Sequence, residues 1–121
     1  MKLFVIIFFL SSLAFGDCYQ LYRMEIEKLN RNLAAVGKNP VAKDIEFRRN
    51  SLRLVVDTLE DVIGNNMRGS ATMAFSKMSG INPRSLHNIL RRTNKRNELC
   101  RNGTLLDANE INDLIRSGKL F

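Results

Sequence analysis

The chain is expected to fold as an all-α protein, a small disulfide-stapled bundle of four to five helices left after a signal peptide is cleaved. Three observations predict this. Apolar residues recur at helical spacing along most of the chain beyond its leader. Proline occurs only at Pro40 and Pro83 and tryptophan is absent, so the turn signals that a β-sandwich needs every 8–12 residues or so are missing. There are two cysteines, Cys18 and Cys100, and an even pair with no third partner bridges in an oxidising compartment.

The leader is Met1–Gly16. Lys2 supplies the positive start, Leu3 to Leu10 form an unbroken apolar run, and Ala14-Phe15-Gly16 place small residues where a signal peptidase reads. Two serines interrupt the apolar stretch, which falls short of the roughly 18–20 residues a membrane span needs. The mature protein is thus expected to begin near Asp17, to be secreted without a transmembrane span, and to form one helical domain over residues 17–121. Few cytosolic proteins carry stable disulfides, and the Cys18–Cys100 bridge would close a loop of roughly 80 residues, worth about 4–5 kcal/mol in the chain-entropy picture.

The first helix is predicted from about Asp17 to Val36. Tyr19, Tyr22, Ile26, Leu29, Leu33 and Val36 repeat at alternating three- and four-residue spacing, a stripe down one face. The stripe spans too few heptads for a coiled coil and reads as one side of a bundle core. Gly37 stops it. Asn39-Pro40 starts the second helix: asparagine caps, and proline fits the first turn. Its apolar face is expected to be Val41, Ile45, Leu52, Val55, Val56, Leu59, Val62 and Ile63, ending at Gly64. Arg48 and Arg49 interrupt that face, so this turn is expected over solvent. The short connection makes the two helices antiparallel neighbours.

Gly64 to Gly80 is rich in small residues and carries Met67, Met73 and Met78 around Phe75. A short helix over Ser70–Met78, with Ser70 as its cap, fits. Methionine adapts its shape, so these four apolar residues either fill gaps in the core or form the candidate surface for an apolar partner or ligand. Asn82-Pro83 opens a further helix running to near Cys100. Leu86, Ile89, Leu90, Thr93 and Cys100 map to one side. Arg84, Arg91, Arg92, Lys95 and Arg96 map to the other and form the candidate anion-binding face. Asp107 and Glu110 make a capping box for the last helix; Ile111, Leu114 and Ile115 face inward and Gly118 closes it. Leu120 and Phe121 then either fold back or trail as an apolar tail.

No catalytic site is legible, and the chain is expected not to be an enzyme. His87 is the one histidine, read as a surface or boundary residue, and no nucleophile stands at a spacing that would serve it. There is no nucleophile elbow, no His-Glu-x-x-His and no phosphate loop. One histidine and two distant cysteines do not make a metal site. In the stretch from Asp107 to Asp113, Ile111 and Asn112 stand where a calcium loop needs an oxygen ligand and a glycine. No cofactor is expected. Asn102-Gly103-Thr104 is a glycan acceptor sequon in a turn. The dibasic pairs Arg48-Arg49, Arg91-Arg92 and Lys95-Arg96 fall within helical stretches, not the extended linkers that processing proteases cut.

The formal net charge is +7 at pH 7, an excess that favours anionic partners. Secretion and the lack of groove-reading motifs argue against nucleic acid. The leading expectation is a secreted, non-catalytic binding protein whose partner is an extracellular protein or an anionic glycan or lipid surface. A cationic membrane-active or host-defence protein, and a carrier of small apolar ligands, are the alternatives.

Overall fold

A computed structural model describes residues 18–120, apart from the side chain of Asn102. The expected leader Met1–Gly16 lies outside the described residues, as do Asp17, Phe121 and the side chain of Asn102, the expected glycan acceptor. Five α-helices follow one another: α1 Cys18–Val36, α2 Val41–Ile63, α3 Ser70–Ser79, α4 Pro83–Lys95 and α5 Ala108–Arg116, with a 3-10 turn over Glu98–Gly103 between the last two. Among the described residues all regular structure is helical, and Cys18 is bridged to Cys100. The expected all-α bundle and its staple are therefore observed.

Helix α2 is the central rod. It packs against α1 and also touches α3, α4 and α5. Helices α1 and α2 run antiparallel: the Tyr19 hydroxyl donates to Glu60 at 2.7 Å near one end, and Arg49 donates to the Asn30 side chain at 3.0 Å near the other. The core is built on Tyr22, Leu52, Leu59, Phe75, Leu86, Leu90, Leu99 and Ile111, all essentially without solvent exposure. From Asn30 to Asn50 no side chain is buried, so the turn end of this hairpin lies outside the core. The expected apolar face of α2 is corrected at both ends: Val41 is 53% and Ile63 67% exposed. Periodicity assigns both to the core side, but both lie at the ends of the helix and stay largely open to solvent.

Asn39 accepts a hydrogen bond from the Val41 N–H at 3.1 Å and so starts α2 as its type predicts. At α4, Asn82 accepts from the Ser85 N–H at 2.9 Å with Pro83 in the first turn. At α5 the capping box is complete: Asp107 accepts from the Glu110 N–H at 2.9 Å and Glu110 from the Asp107 N–H at 3.1 Å.

Helix α3 is capped differently from the expectation. Ser70 is its first residue and caps nothing; Gly69 stands at the cap position. The missing acceptor comes from α2, where the Asp61 carboxylate accepts from the Thr72 N–H at 3.2 Å. A β-carbon on Gly69 would lie 2.1 Å from that carboxylate, so only glycine admits it. Gly80, at φ +75°, then ends α3 in the left-handed conformation glycine adopts without strain.

Helix α4 stops at Lys95, short of Cys100. Asn97 takes a left-handed conformation, which asparagine tolerates, and the 3-10 turn carries Cys100 toward α1. One turn along α1 from Cys18, the Tyr22 hydroxyl donates to the Leu106 carbonyl and also lies 3.2 Å from that of Leu99. Two ties, one covalent and one polar, thus hold α1 to residues 99–106. Burial raises the pKa of Tyr22, the nearby Arg48 charge opposing it, so the phenol stays a donor. Leu120 folds back and is buried.

Candidate functional site

The basic face occupies the second half of α4. Arg91, Arg92, Lys95 and Arg96 are all exposed and, with Asn88, line a hollow of about 340 Å³. Four cations share one face because they sit at three- and four-residue steps on a helix whose other side, Leu86, Ile89, Leu90 and Thr93, is buried. Little in the fold neutralises them. Among the described residues Arg96 lies 3.9 Å from Glu98, and Arg91, Arg92 and Lys95 have no carboxylate within 4.0 Å. Arg91 donates to the Asn65 side chain at 3.1 Å, which holds its guanidinium over the α2–α3 turn. Beside it, Leu59, Val62, Ile63, Asn65, Arg91, Asn94 and Lys95 line a smaller hollow of about 260 Å³. It places the exposed Ile63 next to two of the cations.

Arg84 stands apart from this group. It lies about 10 Å back along α4 and lines a different cleft of about 490 Å³, with Met67, Arg68, Met73, Asn82 and Pro83. The five cations that sequence spacing places on one face are thus divided between two surface features. The four apolar candidates divide likewise. Met67 (36%) and Met73 (47%) are exposed in the cleft, Met78 packs half-buried against the core, and Phe75 is fully buried within it. Arg68 belongs to this cleft and was not legible in the sequence. Its signal was its place beside Met67 in a turn, which is too common to single out.

Two polar side chains depart from expectation. Arg48, expected over solvent, folds onto the start of α5. Its Nη1 donates to Asp107 at 2.8 Å and Glu110 at 2.7 Å, and its Nη2 to the Leu105 carbonyl at 2.8 Å. Two carboxylates of a capping box and a free carbonyl make a site that a planar guanidinium fits and bulk water does not match. Burial works to lower the Arg48 pKa, but the bonds to Glu110 and Asp107 outweigh it and the result is a raised value.

His87, expected near the surface, is fully buried. Thr72 lies between it and Asp61: the Thr72 Oγ1 is 2.9 Å from Asp61 Oδ2 and 3.0 Å from His87 Nε2. The hydroxyl has one proton and the carboxylate can only accept, so Thr72 donates to Asp61 and accepts from His87. The ring is therefore the neutral Nε2–H tautomer, and its buried Nδ1 has no hydrogen-bond partner. Burial lowers the His87 pKa, the Asp61 charge opposes this, and Arg91 adds to it. Histidine, hydroxyl and carboxylate together suggest acid–base chemistry, but the hydroxyl proton points to Asp61, away from the imidazole that would have to take it. Thr72 and His87 also have no solvent access. In this arrangement the three side chains brace α2, α3 and α4 against one another.

The Cys18–Cys100 bridge joins α1 to the 3-10 turn. Among the described residues no helix is long and apolar enough to cross a membrane, and no cluster of three or more His, Cys, Asp or Glu side chains could hold a metal ion. In comparisons with known proteins, no family model, no curated protein and no solved structure matches the chain.

Proposed function

We propose that this chain is a secreted, non-catalytic binding protein that docks an anionic extracellular partner, an acidic protein surface or a sulfated glycan, on the basic face of α4. One observation carries the reading: Arg91, Arg92, Lys95 and Arg96 project together from a single helix around a hollow, with one long ion pair between them and the rest of the described fold. Leaving like charges together and unpaired costs stability through self-repulsion, a cost an anionic partner removes. A disulfide, and the lack of a membrane-crossing helix among the described residues, are compatible with the secretory route.

A membrane-active role is less well supported. An amphipathic helix lies in a bilayer by its apolar side, and the apolar side of α4 is committed to the core. The test is a pull-down from extracellular fluid with the oxidised protein, beside a variant with Arg91, Arg92, Lys95 and Arg96 all changed to Gln. The protein should capture a partner that elutes with rising salt, and the variant should not. Equal capture by both would overturn the reading. Lysis of anionic vesicles at low micromolar protein would favour the membrane-active alternative.

A further inference from the structure

A cleft between α3 and the start of α4 shares no lining residue with the basic face. Its floor is apolar: the thioether side chains of Met67 and Met73 and the ring of Pro83. Arg68 and Arg84 also line the cleft; both are exposed and, among the described residues, neither lies within 4.0 Å of a carboxylate. The remaining lining residue, Asn82, already has its side-chain oxygen bonded to the Ser85 N–H. The volume of about 490 Å³ lies in the roughly 300–1,000 Å³ range of small-molecule sites.

The geometry points to a single-chain anionic amphiphile, a fatty acid, as the ligand of this cleft. A mostly apolar lining that also includes two arginines without carboxylate partners is complementary to an alkyl chain ending in a carboxylate. Arginine suits that head group because its planar fork pairs with both carboxylate oxygens. The floor suits the tail because methionine side chains bend to follow a flexible chain and set no directional demand. A neutral apolar ligand would leave the two charges unanswered, and a small anion would leave the thioethers in water.

The test uses the oxidised protein labelled with ¹³C at the methionine methyl groups and titrated with dodecanoate below its micelle threshold at pH 7.4. The Met67 and Met73 methyl signals should move together and saturate. Those of Met78, packed on the core, and of Met24, 63% exposed on α1, should stay in place. Arg68→Gln with Arg84→Gln removes only exposed groups and should weaken binding about tenfold. Dodecanol should bind about as weakly as dodecanoate does to that variant. The variant with Arg91, Arg92, Lys95 and Arg96 neutralised should bind dodecanoate as the parent does, so loss of the basic-face partner and loss of this ligand are separate results. The proposal is overturned if Met67 and Met73 do not move or Met24 moves with them. It also fails if dodecanol matches dodecanoate, if acetate shifts the same signals as strongly, or if the Arg68 and Arg84 changes leave affinity unaltered.

Discussion

Thr72→Val keeps the outline of a buried side chain and deletes one hydroxyl, which makes it the sharpest probe of how α2, α3 and α4 are joined. The hydroxyl donates to Asp61 at 2.9 Å and accepts from His87 at 3.0 Å. Its loss removes a charge-assisted bond, ordinarily about 1.5–3 kcal/mol, and leaves the buried His87 N–H unpaired at about 1–3 kcal/mol. Asp61 is half-buried and keeps the Thr72 backbone N–H, so water recovers part of the first term. The expected loss is about 2–4 kcal/mol, a large fraction of the roughly 5–15 kcal/mol that holds a domain folded. The assay is urea unfolding followed by far-ultraviolet circular dichroism at pH 7.5 with the disulfide intact. His87→Phe, made in the Thr72→Val background, removes the orphaned ring nitrogens and should recover about 1 kcal/mol or more, so the cycle should be non-additive. A Thr72→Val loss below about 0.5 kcal/mol, or strict additivity, would refute the chain of hydrogen bonds and the tautomer drawn from it.

Four further outcomes are expected. Because burial holds the folded-state pKa of His87 below the unfolded value of about 6.5, its contribution to stability is complete above that value. It is lost as pH falls through the lower folded value. The urea midpoint should therefore drop from pH 7 to pH 5, and His87→Phe should flatten that drop. Asp57, raised by burial and by Glu60, acts in the opposite sense, and does so lower down, in the carboxylate range. Arg48→Met should cost about 1–3 kcal/mol in the same assay. It strands Asp107, whose side chain is only 11% exposed, and the 36% exposure of Arg48 itself keeps the loss below that of a fully buried pair. Arg53→Met, an exposed position on the same helix, should cost under about 0.5 kcal/mol. Replacing Cys18 and Cys100 with Ala opens a loop spanning 82 positions and should cost about 4–5 kcal/mol, read as a lower urea midpoint. An unchanged midpoint would place the stability elsewhere.

What could be read without coordinates is what neighbours in sequence decide. Asn39-Pro40, Asn82-Pro83 and the Asp107–Glu110 box start helices because a side chain reaches backbone N–H groups two or three residues away, whatever lies beyond. The buried side of α4, Leu86, Ile89, Leu90 and Thr93, follows from the helical period, and the disulfide from there being two cysteines to pair. Partners far apart in sequence were not legible. Arg48 meets Asp107 across 59 positions, and Asp61 reaches Thr72 across 11 to cap a helix that lacks its own acceptor. His87 is interior because Thr72 satisfies its N–H, and a lone histidine on a helix border gives no sign of that. The division of the basic residues between a hollow on α4 and a methionine-floored cleft is likewise tertiary. Helical periodicity gives the angle of a side chain about its own axis, whereas which neighbour it meets depends on where the other helices come to rest.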